Sequence, residues 1–254
     1  MWTEVYLAFG IQVFAWVFAT IKQTEKFYDL TGSLTFIAIV HYILWTRSGS
    51  LTANQIVQIL CILAWTLRLG AFLFWRVLSA GEDRRFRHIK TNPLHFLVVW
   101  MIQGVWVLMT LLPSLIMLHK TLRSGRPIST VDIIGWSIWA FGFVIEVLAD
   151  YQKSQFRLDP ENKDHFIQTG LWSICRHPNY LGEILLWFGL FISAASTYSG
   201  WDYLGVLGPI FDALLLIYVS GIPLLEAHAD KKWGTNIEYQ KYKARTSVLV
   251  PFVW

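Results

Sequence analysis

The sequence has little charge: Asp, Glu, Lys and Arg make up 15% of its 254 residues, against about 25% in soluble domains. Hydrophobic residues make up 55% and aromatic residues 16%. This composition argues against a disordered chain, a coiled coil, a collagen-like fibre and a nucleic-acid-binding protein. It is typical of an integral membrane protein, and we expect membrane lipids rather than a nucleic acid around it.

Cysteine is also scarce, since Cys61 and Cys175 are the only two and form no C-x-x-C pair. A disulfide framework of the secreted kind is therefore excluded. The patterns G-x-G-x-x-G, G-x-x-x-x-G-K-[ST], H-E-x-x-H and G-x-S-x-G are missing, which excludes soluble nucleotide-binding folds and zincins. His177, Glu183 and His228 match no recurrent ligand spacing, so we predict no metal site.

Long apolar runs dominate the sequence and predict an all-α, polytopic membrane protein with about seven transmembrane helices. The first run has no basic segment before it and no small-residue cleavage site, so we interpret it as a span and not as a cleaved signal peptide. No internal repeat or low-complexity linker divides the chain, and we predict a single membrane-embedded domain over 1–254. The predicted spans are 5–21, 34–45, 56–75, 94–118, 133–149, 184–198 and 203–220.

The distribution of Lys and Arg predicts the orientation. Short cytoplasmic loops retain positive charge, and sixteen of the 21 Lys and Arg residues fall on one side of the seven spans, against four on the other side. This places the N-terminus outside and the C-terminus in the cytoplasm. The membrane is the endoplasmic reticulum if the source is eukaryotic, or the inner membrane if it is bacterial.

Several charged groups fall where a membrane tolerates them poorly. Arg68 lies within the third span, where a charge costs ~2.5 kcal/mol or more unless it is paired or hydrated. Glu146, Asp150, Lys153 and Arg157 follow i, i+4, i+7 and i+11 spacing, which predicts one stripe along the fifth helix. A functional site and a solvated, ion-paired face both fit a mixed stripe. Since Glu146 begins inside an apolar run, the spacing favours a site.

The segment 176–183, Arg-His-Pro-Asn-Tyr-Leu-Gly-Glu, brings several polar groups to the entry of the sixth span. Its proline interrupts the helix, and backbone at that depth must be buried in protein or line a polar cavity. An amphipathic tail over 226–242 follows the last span and could cover a lipid headgroup or a nucleotide. Asp212, within that span, fits a cavity and a structural pair equally well.

This segment resembles the core motif of the steroid 5α-reductase superfamily. Arg68-Leu69-Gly70 with 81–86, Glu146 to Lys153, and the closing segment 239–251 are similar to the branch of that superfamily long catalogued as a domain of unknown function. The four motifs stand in the right order from about residue 33 to the end. The resemblance implies a seven-helix membrane enzyme that binds NADPH from the cytosol and reduces a carbon–carbon double bond in a lipid such as a steroid or sterol, which enters from the bilayer.

The resemblance also implies roles for particular residues. Asp150 and Arg157 would hold the nucleotide, Asn179 and Glu183 correspond to the amide and acid of the sixth-helix motif, and Arg68 matches an arginine beside the phosphates or the nicotinamide. His228, Tyr239 and Tyr242 fall in the tail that covers the cofactor. The full set of expected cofactor-binding residues is Arg68, Arg76, Glu146, Asp150, Arg157, Arg176, His177, Asn179, Tyr180, Glu183, His228, Tyr239 and Tyr242.

The sequence departs from the better-studied branch at the proton donor. Those steroid reductases use a tyrosine three residues before the third-helix arginine, where this chain has Trp65. An indole N–H donates a hydrogen bond but cannot deliver a proton at neutral pH. We therefore take Asp29 as the candidate acid, with Tyr28 as a second candidate. The missing tyrosine argues against a 3-oxo-steroid substrate.

Two other functions fit the same motif. A membrane methyltransferase of the isoprenylcysteine or phospholipid type shares Arg-His-Pro-x-Tyr-x-Gly and binds S-adenosylmethionine. Asp150, Arg157 and Arg68 favour NADPH over that cofactor, because a sulfonium compound has no phosphates to neutralise. A non-catalytic sterol-binding or scaffold protein that has lost the acid is the second alternative.

Overall fold

The computed structural model describes residues 1–80, 83, 86–122 and 126–253. The described residues do not include Gly81, Glu82, Arg84 and Arg85 of the second motif, or Arg123, one of the four cations on the predicted outer side of the membrane. Within those ranges the chain is helical and contains no strand, apart from an isolated bridge between Cys175 and Ser247. The α-helices are α1 (Trp2–Lys22), α2 (Tyr28–Arg47), α3 (Ala53–Ala80), α4 (Pro93–His119), α5 (Thr130–Leu158), α6 (Pro178–Ala195), α7 (Leu207–Leu214), α8 (Ile222–Trp233) and α9 (Ile237–Arg245).

The prediction of an all-helical membrane protein is confirmed. Five helical segments of the described chain are long and apolar enough to cross a membrane: Trp2–Lys22, Ala53–Leu78, Pro93–His119, Thr130–Leu158 and Gly200–Trp233. The other two predicted spans correspond to α2, which is rich in hydroxyl side chains, and to α6, which has only 18 residues. Seven spans and the orientation of the termini remain predictions.

The chain forms two compact units. The first contains Met1–Asp132 and Ala194–Gly208. In it, α1 packs on α2 and α4, and α2 packs on α3. Polar side chains on these apolar helices bond across to a neighbouring helix: the Gln12 amide donates to Thr35 Oγ1 at 2.9 Å, and the Gln58 amide donates to Ser114 Oγ at 2.8 Å. Such bonds stabilise helix pairs where no water competes.

Cations at one end of this unit bind carbonyl and carboxylate groups. Arg47 donates to the carbonyl oxygens of Leu118 and Lys120, at the C-terminus of α4, where carbonyls lack helical partners. The Lys120 ammonium pairs with Asp202, and Arg126 pairs with the fully buried Asp132 at 3.3 Å. These are the three described cations that the predicted topology places outside, and each has a structural role there.

The second unit contains Ile133–Ser193 and Pro209–Trp254, and glycines bring its first two helices into close contact. A Cβ atom on Gly142 of α5 would lie 2.6 Å from the carbonyl oxygen of Gly182 and 2.7 Å from the nitrogen of Leu186. A Cβ atom on Gly189 of α6 would lie 2.5 Å from the nitrogen of Trp139. Only glycine allows the two backbones to approach this closely.

The last apolar segment of the chain is not one regular helix. It runs as a 3-10 helix (Gly200–Val206), α7, and a π-helical turn (Leu215–Val219) before α8 begins after Gly221. A Cβ atom on Gly221 would clash with the carbonyl oxygen of Leu216 and lie 3.0 Å from Cε2 of Tyr180. Glycine at this position therefore permits α8 to begin beside the first turn of α6.

The contact between α5 and α6 yields a stability prediction. Gly142→Ala should lower the stability of the protein by about 1–3 kcal/mol, because the added methyl group meets backbone atoms that cannot move without separating the helices. Gly10→Ala is the matched control, since a Cβ at Gly10 has nothing within 4 Å and alanine favours helix. Thermal unfolding of the two purified variants in detergent measures the difference. Equal melting temperatures would show that α5 and α6 do not depend on this contact.

Candidate functional site

The predicted charged stripe lies along α5 in the second unit and runs from buried to exposed. The side chains of Glu146 and Asp150 are buried, at 2% and 7% exposure. One turn further, Lys153 Nζ lies 4.4 Å from the centre of the Trp172 ring, and Arg157 is exposed. Two buried acids followed by two cations form a polar surface at the C-terminal end of the apolar helix α5.

The turn before α6 is held between α5 and the C-terminal segment. Trp172 Nε1 donates to the carbonyl oxygen of Ala149 at 3.1 Å, which ties the turn to α5. The Tyr242 hydroxyl donates to the carbonyl oxygen of Trp172 at 2.7 Å, and the Arg176 backbone N–H donates to Ser247 at 2.9 Å, which tie it to the tail. The position of 176–179 is therefore set from both sides.

At this turn an imidazole, a carboxylate and a guanidinium meet. His177 Nε2 lies 2.8 Å from Glu226 Oε1 on α8, and Arg176 Nη2 lies 3.4 Å from Glu226 Oε2. The His177 ring also stacks on the Tyr180 ring, with centroids 5.7 Å apart and 9° between the planes. Burial lowers the pKa of His177 below its usual value, although the Glu226 carboxylate opposes this shift. Burial therefore favours the neutral form of the imidazole.

Three polar atoms in 176–179 are buried without a hydrogen-bond partner among the described residues. They are Arg176 Nε, His177 Nδ1 and Asn179 Oδ1. Leaving a buried polar atom unsatisfied costs about 1–3 kcal/mol, so native structures rarely do so without a ligand or water. A guanidinium N–H, an imidazole nitrogen and an amide oxygen within four consecutive residues match a ligand that has both donor and acceptor groups.

The tail forms the opposite part of this polar surface. Tyr239 and Tyr242 on α9 are both 4% exposed, and burial raises the pKa of each phenol, so both stay protonated. The Tyr239 hydroxyl donates to Asp230 Oδ1 at 3.3 Å, and Lys243 Nζ lies 2.6 Å from the same oxygen. A pocket of about 510 Å³ opens here, lined by Arg176, Asp230, Gly234, Tyr239, Gln240, Lys243 and Ala244.

Most of the residues predicted to bind the cofactor are in this unit. Arg176, His177, Asn179, Tyr180 and Glu183 lie in the turn and the first two turns of α6, and Glu183 is buried at 9% exposure. His228, on α8, is exposed. The Tyr242 hydroxyl donates its proton to the carbonyl oxygen of Trp172, so this side chain supports the turn before α6.

The candidates Tyr28, Asp29, Trp65, Arg68 and Arg76 lie in the first unit. The Asp29 carboxylate accepts a hydrogen bond from Arg76 Nη2 at 3.4 Å, and the Tyr28 hydroxyl donates to the carbonyl oxygen of Val99 at 3.0 Å. Trp65 is 1% exposed and packs edge-on against Phe36, with ring centroids 5.3 Å apart. Arg68 lies 5.5 Å from the centre of the Phe72 ring.

Sequence reasoning did not single out Glu226, Trp172 or Lys243 as site residues. Glu226 is 49 positions from His177 along the chain, so no spacing rule relates them. The usable signal is weaker: Glu226 and Asp230 are four residues apart on an amphipathic helix and therefore share one face.

These features define an all-helical membrane protein whose second unit carries a buried polar cluster at the ends of its helices. The family model "Protein of unknown function (DUF1295)" matches residues 15–246. The chain therefore belongs to this family, which is part of the steroid 5α-reductase superfamily, and the resemblance predicted from the four motifs is confirmed.

A curated relative gives the family a biochemical context. Delta(14)-sterol reductase of Dictyostelium discoideum is 34% identical to this chain over 100 residues, which cover 32% of this chain and 21% of that protein. The match therefore spans about a fifth of the relative's length. No solved structure matches the chain.

Both cysteines are buried, Cys61 at 8% and Cys175 at 2% exposure, and burial raises the pKa of the Cys175 thiol. Since the thiolate is the reactive form, we expect maleimide at pH 7.5 to label neither cysteine in the folded protein. Both should label after denaturation in dodecyl sulfate. Mass spectrometry counts the adducts, and rapid labelling of Cys175 in the folded protein would contradict the tail contacts that cover it.

Proposed function

We propose that this protein is a membrane oxidoreductase that transfers a hydride from NADPH to a carbon–carbon double bond of a sterol-like lipid. The observation that carries the proposal is the group of buried, unsatisfied polar atoms in 176–179, beside buried acids and at the cytoplasmic end of the predicted topology. Membership of the steroid 5α-reductase superfamily and the similarity to a sterol reductase support the same chemistry.

The polar residues of the second unit fit a dinucleotide. Asn179 Oδ1 is a buried acceptor suited to an amide N–H such as that of a nicotinamide, and Arg176 Nε is a buried donor suited to an oxygen. Asp150 accepts hydroxyl donors, and Arg157 offers a guanidinium fork for a phosphate. When bound, NADPH supplies the hydride, and the protein supplies orientation and a dry environment.

The substrate we propose is a lipid that reaches the site through the bilayer. Exposed apolar side chains cover the spans, so a sterol-like molecule can arrive without crossing water.

Reduction of a double bond also needs a proton on the second carbon. We propose that Asp29 delivers this proton, which its carboxylate first takes up from water, because the ionised form that pairs with Arg76 carries none. Tyr28 is the second candidate, because its hydroxyl proton is directed at the carbonyl oxygen of Val99. Trp65 would then take no part in the proton transfer.

The first test compares cofactors. At about a hundred times its Kd, NADPH should stabilise the purified protein by roughly 2.7 kcal/mol, which raises the melting temperature by several degrees. NADH should stabilise less and S-adenosylmethionine not at all. Stabilisation by S-adenosylmethionine alone would contradict the reductase and favour the methyltransferase. NADPH binding without reduction of any lipid would favour the non-catalytic alternative.

The second test concerns the 2′-phosphate. Arg157→Ala should weaken NADPH roughly 10- to 100-fold, the equivalent of one charged hydrogen bond, and should leave NADH nearly unchanged. Lys163→Ala removes an exposed cation that the predicted topology places on the same side of the membrane, and it serves as the control for general electrostatic attraction. Equal losses for NADPH and NADH in Arg157→Ala would remove this arginine from the 2′-phosphate.

The third test concerns the proton donor. Asp29→Asn should lower the turnover of a Δ14-sterol by about 10²- to 10⁴-fold, the usual contribution of a general acid, with NADPH affinity preserved. Product formation followed by mass spectrometry, beside a binding measurement on the same sample, separates the two effects. Normal turnover would eliminate Asp29 as the acid.

A further inference from the structure

The His177 ring is held by two contacts, and one of its nitrogens makes no hydrogen bond to the described residues. Its side chain is 6% exposed, its ring stacks on Tyr180, and Nε2 lies 2.8 Å from Glu226 Oε1. The other nitrogen, Nδ1, is buried and has no hydrogen-bond partner among the residues described. A buried imidazole with one satisfied and one unsatisfied nitrogen is an incomplete hydrogen-bonding group.

The Glu226 carboxylate determines which ring nitrogen of His177 carries the proton. An ionised carboxylate only accepts hydrogen bonds, so Nε2 must carry the hydrogen that it donates to Glu226. A charged ring would carry a second N–H at Nδ1, and that donor would be buried without a partner among the described residues. Since an unpaired buried charged group is the costlier state, the neutral ring is favoured, with Nδ1 as a bare acceptor. Whether one histidine ring nitrogen carries a proton is commonly determined by the hydrogen bond that the other nitrogen makes.

Glu226 is itself oriented by its surroundings. Its second oxygen, Oε2, lies 3.4 Å from Arg176 Nη2 and 3.5 Å from Lys243 Nζ, so two cations fix the plane of the carboxylate. The π-helical turn and Gly221 let α8 begin against Tyr180, the residue that stacks on His177. The irregular end of the last apolar segment thus places Glu226 at the imidazole.

We propose that Glu226 is a positioning residue, which holds His177 in the Nε2–H tautomer so that Nδ1 accepts a hydrogen bond from a donor group of the bound dinucleotide. This inference rests on the proposed function for the identity of the ligand. The tautomer and its dependence on Glu226 are properties of the protein alone.

The tautomer is tested without any ligand. In protein labelled with 15N-histidine, the nitrogen resonances of His177, assigned from their loss in His177→Asn, should show an unprotonated Nδ1 in the wild type. Glu226→Gln should give a mixture of tautomers, because a carboxamide can accept from Nε2–H or donate to a bare Nε2. Asp230→Asn is the control, since it removes the same charge beside Lys243 and does not touch His177. A protonated Nδ1 in the wild type, or an unchanged tautomer in Glu226→Gln, would overturn the proposal.

Binding of NADPH tests the role of Nδ1. The side-chain oxygen of asparagine can replace Nδ1 as an acceptor, whereas that of glutamine reaches the Nε2 position. Glu226→Gln and His177→Gln should each weaken NADPH about tenfold, and His177→Asn should stay within about threefold of the wild type. Glu226→Gln added to His177→Asn should cause no further loss. A full tenfold loss in that double variant would mean that Glu226 acts independently of His177 and would refute the positioning role.

The two failures are distinguishable. If the wild type has no affinity for NADPH, the proposed function fails, and the ligand part of the inference fails with it. The tautomer of His177 in the wild type and in Glu226→Gln then still supports or overturns the positioning role. If the wild type binds NADPH and the variants bind equally well, the proposed function stands and the inference is wrong.

Discussion

The close approach of α5 and α6 is the contact on which the polar cluster of the second unit depends. Glycines at 142, 182 and 189 leave no room for a side chain between the two backbones. A Cβ atom on Gly182 would lie 2.7 Å from the nitrogen of Glu146, so the contact brings the buried acid of α5 against the motif that begins α6. Packing of small residues replaces the hydrophobic effect, which provides little attraction between helices in lipid.

A second constraint acts at the polar ends of these helices. Backbone and side-chain groups there need partners, and the turn at 170–177 receives them from α5 and from the tail through Ala149, Tyr242 and Ser247. The same turn leaves Arg176 Nε, His177 Nδ1 and Asn179 Oδ1 unsatisfied. Groups that are both fixed in position and unsatisfied are pre-organised for a ligand, because binding then costs little further loss of side-chain entropy.

Helix formation was predictable because it depends on local sequence. Apolar runs predicted the helices, and i, i+4, i+7 and i+11 spacing predicted the stripe that begins with the buried Glu146 and Asp150. The helix α2 begins at Tyr28, six residues before the predicted span, because its first turns bury Thr31, Ser33 and Thr35 against neighbouring helices. Hydropathy alone does not detect a polar helix turn that is buried in protein.

Long-range partners could not be predicted. Nothing near Asp29 in the sequence indicates Arg76, and nothing near His177 indicates Glu226, since folding alone brings these pairs together. The π-helical turn over Leu215–Val219 is likewise hidden in a run that is uniformly apolar. Motif resemblance compensates in part, because it identifies the residues of the candidate site without their geometry.

The central claim is that the dinucleotide binds at the fifth helix, the turn before α6 and the tail. Hydrogen–deuterium exchange of the detergent-purified protein, with and without NADPH, tests it most directly. We predict slower exchange in peptides that cover 146–157 and 170–183 and in the tail over 226–245, with no such change for S-adenosylmethionine. Protection confined to other segments, or produced by S-adenosylmethionine and not by NADPH, would contradict the account.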